Sequence, residues 1–331
     1  MKRTLAFVLC LALCLPLVSC STGQKKHSET YFDCVDSYAT LTAYTISESE
    51  WESYLGAFRT AVDRYHRLLD AYNSYDGVVN IHTVNSSGGK SLEVSRELFD
   101  FLSYAKSVHA LTGGYTSVSL GAVTSIWKSA IKSQSLPSAD ELTSASAHVD
   151  ISGLVLDQTA LTVRLTDTSV RLDAGSLGKG YAAEMIRNEL ISLGCESFLI
   201  DLGGTLCAFG NKPDGNPWRG GVRSLDGKEL DGSSVSISGL SLSTSGSYHR
   251  GFDLDGIRYH HIINPFTLYP ENRFVSVSVL TASASDADAL STDLFSMSLE
   301  DGQALVKSLS TTEALWLLPD GSVLKTDGFE K

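Results

Sequence analysis

LTVRLTDTSVRLDAGSLGKGYAAEMIRNELISLGCESFLIDLGGTLCAF, residues 161–209, decides how this chain is built. Two alternating runs, 161–165 and 169–173, read as a hairpin that delivers the chain to a glycine-rich turn. KGYAAEMIRNELISLG carries a helical period and stops at Gly194, and 197–209 reads as one strand. A doubly wound protein would repeat that strand–helix–strand order along its length. This chain does not. Upstream, 35–45 alternates as a strand, and Ser49 with Glu52 forms a capping box for a helix. That helix has an apolar stripe at Trp51, Leu55, Phe58, Val62, Tyr65, Leu69 and Tyr72, failing at Asn73. An aperiodic polar loop runs on to Asn85, and Ser95 opens a second helix that Gly113-Gly114 stops. Downstream come strands at 235–244 and 274–281, and a helix starting at Asp286 or Asp288. A closing hairpin turns at Pro319-Asp320-Gly321. The pattern predicts an α+β fold with largely antiparallel sheets.

The N-terminus reads as a lipoprotein signal over 1–19. Lys2 and Arg3 precede the apolar run Leu5–Val18, and LVSC at 17–20 has the form of a lipobox. The run is too short for a stable transmembrane helix. The expected product starts at Cys20, diacylated on sulfur and held on the extracytoplasmic face of a bacterial membrane. Residues 20–31 read as a polar tether and 32–331 as one catalytic domain. A formal charge of −12, more negative still once Lys2 and Arg3 leave, argues against nucleic-acid binding. Cys34, Cys195 and Cys207 are the only other cysteines beyond the signal; without a CxxC or Cys/His cluster they support neither a zinc site nor a disulfide framework.

Three segments carry chemistry. In DAGSLGKGY (173–181) the glycines permit tight backbone, and a helix N-terminus with Lys179 favours an anion such as phosphate. It is neither a P-loop nor GxGxxG. In SDADALSTDLF (285–295), Asp288 and Thr292 stand at i, i+4 and can face one hard cation such as Mg²⁺. Asp286 and Asp293 lie at other helical angles and read as solvated or capping. In HHIINPFTLYP (260–270), strand alternation points His260 and His261 to opposite faces, so one of them at most serves a site. TSGSYHR (244–250) adds hydroxyls and a further histidine. Oxygen ligands, a glycine turn and a histidine together point to metal-assisted phosphoanhydride chemistry.

VDSYATLTAY, LLDAYNSYDGVVNIHTVN, HALTGGYTSVSLGAVTSIWK, DAGSLGKGYAAE, LIDLGGTLCAFG, STSGSYHR, HHIINPFTLYP and DADALSTDLF resemble, in order, the motifs of the ApbE family of FAD:protein FMN transferases. The resemblance spans nearly the whole mature chain and implies a T-fold-like catalytic domain. It further implies FAD as substrate, Mg²⁺, release of AMP, and FMN esterified to a Thr or Ser of an acceptor such as a redox-pump subunit. Carried over by residue, it implies metal ligands at Asp288, Thr292 and a backbone carbonyl placed at Ser176. Val35, Tyr75, Asn85, Tyr115, Thr116, Ser117, Asp173 and Lys179 would line the FAD site, and His261 would act in transfer. The chain departs from the family pattern at Ser117 and Asn264, where aspartate is usual, at Leu268, where glycine is usual, and at Glu184, often aspartate. Two other activities share these residues: an Mg²⁺-dependent FAD pyrophosphatase giving FMN and AMP, and an FAD-binding lipoprotein without turnover.

Overall fold

The computed structural model describes residues 23–34, 37–222, 230, 233–248 and 250–329. The expected signal, Cys20, Val35 and His249 lie outside those residues. The first seven strands are β1 (Lys25–Cys34), β2 (Ser37–Thr45), β3 (Leu92–Glu93), β4 (Leu154–Asp157), β5 (Thr162–Leu165), β6 (Phe198–Leu202) and β7 (Thr205–Phe209). The remainder are β8 (Arg219–Gly220), β9 (Val235–Ser236), β10 (Ser241–Gly246), β11 (Gly251–Leu254), β12 (Ile257–His260), β13 (Ser276–Thr281), β14 (Glu313–Leu317) and β15 (Val323–Lys325). The helices are α1 (Glu48–Leu69), α2 (Ile81–Asn85), α3 (Arg96–Leu111), α4 (Gly121–Ser133), α5 (Ala139–Ser146), α6 (Gly178–Ser192), α7 (Ala284–Ser296) and α8 (Leu299–Ser308).

One eight-stranded sheet, in the order β1-β2-β6-β7-β10-β13-β14-β15, organises these elements, and every neighbouring pair in it is antiparallel. The α+β, antiparallel architecture read from the sequence is therefore the one observed. On one side, α1, α3 and α6 bury Phe58, Phe101 and Ile186 against Leu41, Phe198 and Ile200 of β2 and β6. A second cluster buries Leu294 and Phe295 of α7 with Val277 and Val279 of β13 and Trp316 of β14. Burying such side chains is worth roughly 1.5–3 kcal/mol each. The two clusters fix α6 beside α7, and the candidate site lies along that seam.

Several expectations are corrected. The polar stretch from Lys25 onward is not tether but strand, paired with β2 continuously from Lys25↔Thr45 to Phe32↔Tyr38 and, past a bulge, at Cys34↔Ser37. It lacks apolar alternation because it is an edge strand with most side chains in solvent. Helix α1 is capped by Ser47, not Ser49: Ser47 Oγ accepts from Glu50 N–H at 3.2 Å, and Glu50 Oε2 accepts from Ile46 N–H at 2.7 Å. The helix ends at Leu69, which leaves Tyr72 outside it, and the loop beyond contains the short α2, capped by Asn80. Run 161–165 pairs with β4 rather than with 169–173. The single strand read over 197–209 is a hairpin, because Gly203 (φ +58°) and Gly204 (φ +94°) turn the chain in the left-handed region. Helix α7 starts ahead of both aspartates, capped by Ser283.

Candidate active site

Helices α6 and α7 cap one another. Leu177, the residue preceding α6, has no side chain able to cap, so the first N–H groups of that helix need partners from elsewhere. Asp288 supplies one: its Oδ2 accepts from Gly180 N–H at 2.8 Å. In return, Glu184 of α6 accepts from Ser285 N–H at 3.0 Å and from Ser283 Oγ at 2.7 Å, at the start of α7. Arg187 donates to Glu184 at 3.1 Å and to the Ala282 carbonyl at 2.9 Å. Each carboxylate thus sits at the positive end of the other helix, where negative charge is stabilised.

The approach requires glycine at position 180. A Cβ there would stand 2.3 Å from Ala284 O and 2.4 Å from Asp288 Cβ. Gly180→Ala should therefore separate the helices, costing about 2–3 kcal/mol of stability and pulling Asp288 off its partners. Thermal unfolding and turnover measured together check this; an alanine variant with wild-type Tm and activity contradicts it.

Asp288 is buried, only 3% exposed, and its remaining oxygen is crowded. Oδ1 accepts from Thr205 Oγ1 and Ser243 Oγ, each at 3.2 Å, and pairs with Lys179 Nζ at 3.3 Å. One turn on, Thr292 Oγ1 donates to the Asp288 carbonyl at 3.3 Å and lies 3.1 Å from Ser245 Oγ. Among the described residues no group of three or more His, Cys, Asp or Glu side chains could hold a metal. Beside the Lys179 ammonium and the Gly180 N–H, the Asp288 carboxylate and the hydroxyls of Thr292, Ser243 and Ser245 are hard oxygen donors, the kind taken by a divalent cation that keeps substrate phosphate or water in its other positions. The set therefore fits Mg²⁺. Ser176 lies in the turn four residues ahead of Gly180.

Lys179 also faces the β6–β7 turn: a Cβ on Gly203 would lie 3.4 Å from Lys179 Cδ and 2.5 Å from Ser37 Oγ. His261 joins this group electrostatically. Dense protein around the ring, then His260, Arg250 and Lys179, lower its pKa, so it is neutral at physiological pH. Part of the residue nevertheless remains open to solvent. Its Nδ1 lies 3.3 Å from the Arg250 carbonyl, which only accepts, so Nδ1 carries the proton and Nε2 keeps its lone pair. His260 is the opposite case. It is fully buried, its Nε2 donates to the Glu271 carbonyl at 3.0 Å, and its Nδ1 accepts from Ile262 N–H at 3.2 Å.

The other sequence-selected residues gather on loops leading to this seam. Asp173 accepts from Gly175 N–H at 2.7 Å, Tyr72 OH at 2.6 Å and Thr124 Oγ1 at 3.3 Å. Its own N–H donates to the Val118 carbonyl at 2.7 Å, which ties the Tyr115–Ser117 loop to the glycine turn. Tyr115 packs edge-on against Phe266, ring centroids 4.9 Å apart, bringing in the histidine loop. Asn85 uses both ends of its amide on the Leu172 backbone, at 2.7 and 2.9 Å, so it positions Asp173. Tyr75 donates to Asp70 at 2.7 Å. Ser117 and Ser119 share a hydroxyl contact at 2.8 Å.

Two departures have a structural account. Asn264 Oδ1 accepts from Phe266 N–H at 2.9 Å, as an aspartate could, while its Nδ2 donates to the Ser296 carbonyl at 3.3 Å, as an aspartate could not. Leu268 adopts φ +64°, the left-handed conformation in which glycine is usual, at roughly 1–2 kcal/mol for an L side chain. Asp293 is a correction. Expected to be solvated or capping, it is completely buried, and among the described residues no donor reaches its carboxylate oxygens with full hydrogen-bond geometry; burial lifts its pKa to about 7 against the weaker pull of the Thr116 hydroxyl and N–H and the Thr112 hydroxyl. Asp286 is half-buried under Tyr104 OH at 3.0 Å.

Sequence reading missed Thr205, Ser243, Ser245 and Tyr72. The first three sit in segments it did single out, LIDLGGTL and STSG, but serine and threonine are too common here for composition to mark them.

The ApbE family model matches residues 36–316. An FAD:protein FMN transferase of Klebsiella pneumoniae (strain 342) is 29% identical over 266 residues, covering 80% of this chain and 81% of that protein. One of Treponema pallidum (strain Nichols) is 32% identical over 257 residues, covering 73% and 71%. The apo structure of Pseudomonas stutzeri flavinyl transferase ApbE superposes with a TM-score of 0.79 at 24% identity, covering 92% of this chain and 96% of that one. The Thermotoga maritima ApbE protein gives a TM-score of 0.82 at 24% identity, covering 92% and 98%. With its motifs, its fold and 281 matched positions in agreement, this chain belongs to the ApbE family.

Proposed function

We infer that this chain is an FAD:protein FMN transferase, moving FMN from FAD to a Ser or Thr hydroxyl of an acceptor protein with release of AMP. One observation carries the chemistry: a buried carboxylate at a helix N-terminus is paired with Lys179, and the same lysine acts electrostatically on a neutral histidine whose Nδ1 is committed to the Arg250 carbonyl. Relatives bearing that activity cover about four-fifths of the chain.

Lys179 and the N-terminus of α6 attract the FAD pyrophosphate and stabilise charge as it develops. Asp288 and Thr292, with the Ser176 carbonyl, would hold Mg²⁺, which when bound supplies Lewis-acid stabilisation of the phosphoanhydride. His261 Nε2 takes the proton from the incoming hydroxyl, whose oxygen bonds the FMN phosphorus as the bond to the AMP oxygen breaks. Asp173 and the Tyr115–Ser117 loop line the FAD site, with Asn85 holding the Leu172 backbone ahead of the turn.

Because His261 is open to solvent, water competes with the acceptor, and FAD hydrolysis to FMN and AMP is the expected side reaction. Incubation with FAD, Mg²⁺ and candidate acceptors, read by intact mass, tests the reading. An acceptor gaining the mass of FMN supports it; AMP without any labelled polypeptide favours the pyrophosphatase, and FAD left intact favours a binding protein.

We also propose that Cys20 is lipidated and holds the enzyme on the extracytoplasmic face of the membrane, on the strength of LVSC after the apolar run. Cys20→Ala should leave the signal uncleaved or release the protein from membranes. A variant processed and membrane-bound like wild type, with no acyl mass on either, rules the anchor out.

A further inference from the structure

Asp293 is a buried acid that the chemistry described so far does not use. It follows Thr292 on α7 and is fully buried, and its carbonyl is committed to the helix, accepting from Met297 N–H at 2.9 Å. Taking a carboxyl group out of water is costly unless hydrogen bonds repay it. A leucine at this position would join the apolar cluster at no such cost. An acid kept there points to a use other than packing.

What the acid faces is one loop. The groups that act on it are the hydroxyl and N–H of Thr116 and the hydroxyl of Thr112. Thr112 Oγ1 already gives its proton to the Val108 carbonyl at 3.0 Å, which leaves Thr116 as the available donor. Among the described residues Thr116 Oγ1 and both Asp293 carboxylate oxygens are buried without a fully formed hydrogen bond. Such groups are seldom left unmatched, and these stand opposite one another. The loop is anchored on either side of them. Gly114 N–H donates to the His109 carbonyl at 2.9 Å, and the Val118 carbonyl accepts from Asp173 N–H at 2.7 Å. Tyr115 packs on the apolar cluster that includes Leu290, Leu294 and Phe295 of α7. Gly113 (φ +65°) and Gly114 (φ +93°) turn the chain in the left-handed region after α3, so the loop's path depends on what holds its middle. That middle is Thr116, whose side chain is turned inward and only 2% exposed.

We propose that Asp293 is a positioning residue for FAD: its carboxyl group accepts from the Thr116 hydroxyl and N–H and so seats the Tyr115–Ser117 loop against α7. One turn of α7 then holds both the oxygen pair of Asp288 and Thr292 and the loop wall of the FAD site in register. A site whose walls are locked by buried contacts binds its ligand without first having to order them. The proposal rests on the reading that this loop lines the FAD site.

FAD binding in the presence of Mg²⁺, followed by flavin fluorescence on the full-length chain beside thermal unfolding, tests it. Asp293→Leu keeps the branching of the side chain and removes its oxygens. Its Kd for FAD should rise about tenfold, while its Tm stays at or above that of wild type. Thr116→Val should match that loss, and Thr116→Ser, which keeps the hydroxyl, should bind FAD like wild type. Because the two side chains act through one contact, the double variant Asp293→Leu/Thr116→Val should bind no more weakly than either single variant. A purely structural role predicts the reverse pattern, a changed Tm with an unchanged Kd. An unchanged Kd in Asp293→Leu, or in Thr116→Val should the leucine variant fail to fold, overturns the proposal, as do losses that add in the double variant. Those outcomes leave FAD binding by wild type, and with it the transferase reading, intact. If wild type itself binds no FAD, that reading falls and this proposal falls with it.

Discussion

Asp288→Ala is expected to cut FMN transfer by about a thousandfold or more, the loss of roughly 4 kcal/mol of transition-state stabilisation. Three effects coincide at this side chain. The alanine removes the only carboxylate assigned to the metal, leaves Gly180 N–H without its acceptor, and strips Lys179 of its counter-charge. The last two would follow even if Asp288 were no more than a cap for α6, so alanine alone cannot separate catalysis from architecture. Asp288→Asn can. Its side-chain oxygen can still accept a hydrogen bond, but the charge is gone. If charge at this position matters to the reaction, the asparagine enzyme should be nearly as slow as the alanine enzyme, respond weakly to Mg²⁺, and still bind FAD. Mg²⁺ binding measured by calorimetry gives a readout independent of turnover. An asparagine enzyme with near-normal turnover and an unchanged Mg²⁺ requirement would reduce Asp288 to a helix cap.

The Asp288/Thr292 pair shows how far a sequence can be read. Helical spacing alone places both residues on one face, and α7 does bring them together. What spacing cannot supply is the other side of the contact. Gly180, Thr205 and Ser243 reach Asp288 from three elements remote in sequence, and only tertiary packing decides that Gly180 rather than Gly178 takes the position where a Cβ cannot fit. Asp293 makes the converse point. A charged residue on an amphipathic helix is normally assigned to solvent, but α7 is buried nearly all round between β10, β13 and the Thr112–Thr116 segment, leaving no solvent face to receive it. Strand β1 was illegible for a third reason. Apolar alternation marks strands with one buried face, and KKHSETYFDC lies at an edge where most side chains are exposed. The fold class was readable because strand and helix periods are local; the hydroxyl-rich surroundings of Asp288 were not, since Ser and Thr carry no periodic signal.

The two adjacent histidines should separate cleanly under mutation. His261→Ala is expected to slow FMN transfer about a hundredfold or more, the usual contribution of a general base, with little change in FAD affinity. Its Nδ1–H is committed to the Arg250 carbonyl, and its lowered pKa keeps Nε2 unprotonated. The acid limb of the transfer rate attributable to this ring should therefore lie below pH 6.5, the ordinary histidine value. His260→Ala should affect folding instead. It removes the donor to Glu271 and orphans Ile262 N–H in the core, at roughly 1–3 kcal/mol. Burial, with a smaller push from Arg258, lowers the His260 pKa from 6.5 to about 4. Across that interval the unfolded chain binds a proton that the folded chain refuses, so stability rises with pH through the window and is lost on acidification, by on the order of 3 kcal/mol. His260→Gln should remove this share of the slope and leave the share that the lowered pKa of His261 contributes, with transfer kinetics near wild type. Equal losses of transfer in the two alanine variants at matched folded fraction, or a His261→Ala defect wholly explained by weaker FAD binding, would remove His261 from the base role.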